Sequence, residues 1–144
     1  CSDVTVQRCQ IEGGSEDAWD CCRGSNYRLY NSVISPNGKN GLTFKGSIEG
    51  VDIQNTVFTS HGSECDIELG QFCIYDEFPF SKATKHVQLV NVTSLDGAPV
   101  HVKVWNSSTP VVVEGNVKVT KINPILVFLY FSLRRIQYLI SKKK

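Results

Sequence analysis

The 144-residue chain contains no methionine, and it opens on Cys1 in mid-pattern, directly before an alternating apolar stretch. It therefore reads as a processed chain or as a piece of a larger one. Charge of one sign is lacking too. Fifteen basic against fourteen acidic side chains leave a formal net charge of +1, which gives no general electrostatic pull toward nucleic acid or an anionic membrane. Long apolar runs are short of what a membrane span needs: Ile125 to Leu133 is almost wholly apolar, but it is about half of the roughly 20 residues required. No phosphate-cradling glycine loop, zinc-protease motif or nucleophile elbow occurs.

What is there is a repeat. The pattern Val51-Asp52-Ile53-Gln54-Asn55-Thr56-Val57-Phe58 returns as Val4 to Ile11, Tyr27 to Ile34, Val87 to Thr93 and Val117 to Ile122. The first two offsets are 23 and 24 residues and the later ones 36 and 30, read as the same coil with insertions. A period in this range marks a solenoid. Within each copy apolar and polar residues alternate, a period of two that belongs to strands with one buried face. Two residues after the second apolar position stand Arg8, Asn31, Asn55, Asn91 and Lys121. Asparagine tolerates the left-handed conformation at a tight bend and can bond its neighbour in the next coil.

On this periodicity and this asparagine ladder the chain resembles the right-handed parallel β-helix, the pectate-lyase-like superfamily that includes phage tailspikes. The resemblance covers about residues 3 to 122. It implies an all-β solenoid of about five coils over 1–124, with an insertion at 71–84 rich in aromatic residues. Residues 125–144 would then be a C-terminal cap, because the last coil otherwise exposes strand edges and core. Such a cap is expected to begin as strand or irregular chain and to finish as a short amphipathic helix.

Six cysteines, at 1, 9, 21, 22, 65 and 73, suit an exported protein with disulfides. Cys9 and Cys21 equally suit small core residues, since they take the inward places of Ser32 and Thr56 and of Phe44 and Leu69. The spacing of His61, Cys65 and Cys73 matches no standard zinc ligand pair, and no metal site is expected. Of two glycosylation sequons, Asn91-Val92-Thr93 falls in the ladder and should be inaccessible, while Asn106-Ser107-Ser108 sits in an ordinary loop.

Aligning the second strand of each coil places Asp20, Thr43, Glu68 and either Lys103 or His101 in one outward column, with Ala18, Gly41 and Asp66 beside it. Coils stack about 4.8 Å apart, so these groups would line a shallow groove suited to an extended polymer. Asp20, Tyr75, His101, Lys103 and Trp105 are the candidate substrate-binding residues, being the polar and planar types that hold sugars. Asp66, Glu68 and His61 are the candidate catalytic residues. The Glu16-Asp17 and Ser60-His61-Gly62 turns resemble the Asp-Asp and Gly-His-Gly motifs of polygalacturonase-like β-helix enzymes. Here, however, serine stands for a glycine, the turns lie two coils apart and His61 is out of register.

No cofactor is expected. Calcium is the one ion the resemblance brings in, because lyases of the superfamily hold it on acids. The expectation is thus an extracellular or virion-associated module that binds polysaccharide along its coils. Its rivals are a polysaccharide-cleaving enzyme and a purely structural spacer or decoration protein. Self-association or assembly through 125–140 is the further contact anticipated; the terminal lysines make a peripheral membrane anchor the alternative use of that segment, and nucleic acid is not expected as a partner.

Overall fold

The computed structural model describes residues 2–71, 84–106 and 108–143. Among the described residues the chain is mostly strand with one C-terminal helix, and every strand pairing is parallel, consistent with a β-solenoid. The strands are β1 (Ser2–Gln7), β2 (Gln10–Glu12), β3 (Trp19–Tyr30), β4 (Val33–Ser35), β5 (Leu42–Ile48), β6 (Val51–Phe58), β7 (Ile67–Gln71), β8 (Val87–Ser94), β9 (Val100–Val104), β10 (Val111–Glu114) and β11 (Val117–Lys121). The helix is α1 (Pro124–Lys142).

Two rows of strands run side by side. One has the order β1-β3-β6-β8-β10 and the other β3-β5-β7-β9-β11, so β3 belongs to both. It can do so because Arg23, Gly24 and Asn26 all take positive φ (63°, 133° and 56°), which turns the chain from one row into the other.

Alternation in the sequence becomes stacking in the core. Val6, Leu29, Ile53, Leu89 and Val113 are successive register partners in the first row. Trp19, Leu42, Ile67, Val102 and Val119 do the same in the second. The inner members of each column are fully buried and the outermost ones only partly, because an end strand has a neighbour on one side alone. Cys9 shows the same effect. Its N–H meets the hydroxyl of buried Ser32, as its place in the repeat requires, yet it is exposed because it stands in the end coil, with a neighbouring coil on one side alone. Cys21 is buried, and burial beside Asp20 pushes its thiol up to about 11.

The asparagine ladder is present. Arg8, Asn31, Asn55 and Asn91 have φ of 54°, 50°, 51° and 52°, and the Asn91 amide donates to the Asn55 carbonyl at 2.9 Å. Asn91 is nevertheless exposed, against the expectation that its sequon would be inaccessible: the ladder runs along an outer corner, so only the amide edge is engaged. A second set of left-handed residues, unanticipated in the sequence, stands at Asp3, Asn26 and His86 (57°, 56° and 52°), each just ahead of the apolar alternation of its copy, and Asn26 donates to Asp3 at 2.9 Å.

Two expectations are corrected. Val117 to Lys121 does not repeat Val51 to Asn55; β10 occupies that place, with Val111 beside Val87, and β11 lies in the second row against β9. Val111 follows Val87 by 24 residues, so the original period returns. Both stretches read Val-x-Val, and a period of two cannot tell which row a strand joins. The second correction concerns the C-terminal segment, which is one continuous helix rather than a strand passing into a short helix. Asn123 caps it by accepting from the Ile125 N–H at 2.8 Å, and Pro124 fills the first turn, where a missing N–H costs nothing.

Candidate functional site

The polar side chains of the second row fall into one column, Asp20, Thr43, Glu68, Lys103 and Thr120, in direct register. Lys103 rather than His101 continues it. His101 instead stands beside Lys118, with its Nε2 at 3.1 Å from the Thr120 hydroxyl. The column was expected to face solvent. Thr43 and Glu68 are instead fully buried, as is Asp66, because Asn40 and Trp105 close over the strand.

Asp66 and Glu68 point to the same side of one strand but have separate partners. Asp66, immediately before β7, accepts from the Gly62 N–H at 3.1 Å and from the His101 N–H at 2.8 Å, and its Oδ2 lies 2.9 Å from His61 Nδ1. Only glycine fits at position 62, since a Cβ there would fall 2.2 Å from the Cys65 carbonyl. The other ring nitrogen of His61 is 2.8 Å from Asp96 and 3.1 Å from the Ser94 hydroxyl. Ser94 and the Ala98 N–H both donate to the other Asp96 oxygen, at 2.8 and 2.9 Å. With a carboxylate on each nitrogen, hydrogen bonding from Asp66 and then Asp96 raises the His61 pKa above its ordinary value. The His61 contact, with Ser94 and Ala98, lowers that of Asp96 to about 2. The result is a histidine clasp between a turn after β6 and a turn after β8, one that favours the protonated ring.

Ser94, His61 and Asp66 stand at the distances of a nucleophile, base and orienting acid. Asp96 alters the chemistry, since its carboxylate engages the same ring nitrogen that would have to take the serine proton.

Glu68 sits in a neutral cage. The Asn40 amide donates to one oxygen at 2.6 Å and the Trp105 indole N–H to the other. Burial raises its pKa despite the lowering influence of Trp105, Lys103 and Asn40. Asn40 also donates to Thr43 and accepts from the Cys65 thiol, whose own pKa burial pushes up. Trp105 is not an open platform: its ring lies 4.7 Å from Tyr130 and 5.8 Å from Phe131, and Lys103 lies 5.0 Å from its centroid. Asp20 is held by Lys45 at 2.6 Å. Tyr75 and Cys73 lie outside the described residues. Among the described residues no three His, Cys, Asp or Glu side chains converge as a metal site would require.

Beside the column opens a cleft of about 510 Å³. Its walls carry Lys39, Lys45, Lys103 and Arg134 as cations, Glu16, Asp17 and Glu64 as acids, and Asn40, Gln71, Trp105 and Tyr130. Lys39 is paired with Glu16 at 2.9 Å. Sequence reading missed Arg134 and Tyr130, which α1 brings from the far end of the chain, and Ser94 and Asp96. Asp96-Gly97 is a turn signal in the coil after His61, and aligning turns as well as strands would have found it.

Neither protein-family models, nor curated proteins, nor solved structures match this chain.

Proposed function

We propose that this chain is a right-handed parallel β-helix of about five coils, of the pectate-lyase-like kind, serving as a non-catalytic module that binds polysaccharide or a similar extended polymer. The observation that carries the reading is the cleft beside the in-register column, polar and charged along its walls and running beside strands stacked about 4.8 Å apart. Lys103 and Arg134 suit the carboxylate or sulfate of an acidic sugar, and Gln71 suits hydroxyls. The left-handed asparagine corner supports the β-helix assignment. Cys22 is disulfide-bonded, which supports an extracellular or virion setting.

The polysaccharide-cleaving rival is weaker. It needs Asp66, Glu68 and His61 to act on one bond, whereas His61 is engaged on both nitrogens and Glu68 is enclosed by Asn40 and Trp105. A glycan array probed with the parent chain and with Lys103→Ala tests the module. Binding to acidic glycans that the substitution weakens is expected, and silence across the array overturns the reading. Release of reducing ends or unsaturated products from the same panel would favour the enzyme.

A further inference from the structure

The near-zero net charge of the whole chain conceals a local excess. From Pro124 to Lys144 there are five basic residues, Arg134, Arg135, Lys142, Lys143 and Lys144, and no acidic one. The helix α1, which carries Arg134, Arg135 and Lys142, is apolar on two sides. Val127, Tyr130 and Phe131 pack with Trp105, and Phe131 is the buried residue of the helix. On the other side Ile125, Leu126, Leu129, Leu133, Ile136 and Ile140 are each between 53% and 70% exposed. At helical spacing these six fall in one arc of about 100°, facing away from the Trp105 contact. A soluble surface seldom leaves so many large apolar side chains bare together.

We propose that α1 is an interfacial anchor, which lays this arc into an anionic lipid surface while its basic side chains meet the headgroups. Charge complementarity selects that occupant. Phe128 and Leu139, 46% and 44% exposed, widen the apolar arc on one side, and Arg135 and Lys142, seven residues apart, lie one above the other just past that edge, where a bilayer surface places phosphates and other anions. A second copy of the helix would set like charges against these positions. The helix is not long and apolar enough to cross a membrane, and an amphipathic helix of this length lies in the interface plane instead. The proposal is independent of the polymer-binding reading, because the arc is centred roughly 90° around the helix from Tyr130 and roughly 130° from Arg134, the two helix residues at the cleft.

Sedimentation of the whole chain with vesicles tests it, using phosphatidylcholine alone and phosphatidylcholine mixed with phosphatidylserine. The chain should partition onto the mixed vesicles and much less onto the neutral ones. Leu129→Gln/Ile136→Gln, with an unchanged melting temperature, should lower that partition at least about tenfold. Arg135→Gln/Lys142→Gln should weaken it independently, as should raised salt. Absence of binding to the mixed vesicles, equal binding to both compositions, or full binding by the apolar double variant would overturn the proposal. So would a sedimenting dimer that the same variant dissolves while vesicle binding is absent.

Discussion

The strand rows and α1 use the same side chains to opposite ends. Ile53, Leu89 and Val102 in the rows are wholly buried, whereas Ile125, Leu129 and Ile136 in the helix are more than half exposed. The difference lies in neighbours. A strand in the middle of a row is hydrogen-bonded on both edges and covered on its inner face by the opposite row, so each apolar residue is enclosed by elements that repeat it. The helix satisfies its own backbone and touches the rest through one aromatic cluster around Trp105. Apolar residues in the rows therefore hold the fold, and most of those in α1 are free to serve something outside it.

Substitutions should separate the two regions sharply. Ile53→Asp places an unpaired charge where nothing is exposed and should cost several kcal/mol, abolishing the cooperative thermal transition; a melt like the parent's would contradict the row assignment. Phe131→Ala removes the single buried side chain of α1, a loss of about 3 kcal/mol. That loss should remain local. Amide exchange should speed over 124–142 while the strand amides keep their protection, and equal acceleration in both would show that the helix is part of the common core.

Asp66→Asn tests the clasp. It removes the charge facing His61 and keeps one oxygen, so only one of the Gly62 and His101 N–H groups, which bind different oxygens of Asp66, retains its acceptor, for a loss of about 2 kcal/mol in chemical denaturation. The clasp should also make stability depend on pH. His61 has a raised folded pKa, so its contribution is complete below the unfolded value of 6.5 and is lost as pH rises through the folded value. The melting temperature should accordingly fall across that interval in the parent and stay flat there in His61→Gln. Asp96 runs the other way: its contribution is present above the ordinary 3.8 and disappears as pH falls toward about 2. Smallest of all, Leu129→Gln at an exposed position should alter stability by no more than about 0.5 kcal/mol. A larger loss would mean that the arc is covered within the chain itself.

Legibility in the sequence follows the range of the interaction that decides each feature. The alternation at Val4, Tyr27, Val51 and Val87 and the left-handed asparagines at 31, 55 and 91 are local, and both the stacked columns and the ladder could be read from them. The assignment of Val117 to Lys121 failed because two Val-x-Val strands six residues apart carry the same signal, and only pairing with Val100 to Val104 distinguishes them. The site divides in the same way. The column through Asp20, Thr43 and Glu68 was visible as register. Its burial was not, since Asn40 and Trp105 close over it from residues remote in the chain.

By itself, then, the sequence determined a parallel strand repeat with one apolar face and left-handed corners, because backbone sterics and a period of two act within a few residues. Only the tertiary structure decided that His61 is clasped between Asp66 and Asp96, that Glu68 is sealed from water, and that α1 presents a bare apolar arc. Each of those depends on which distant surface covers a side chain, and solvent exclusion is a property of the folded assembly, not of any short stretch of chain.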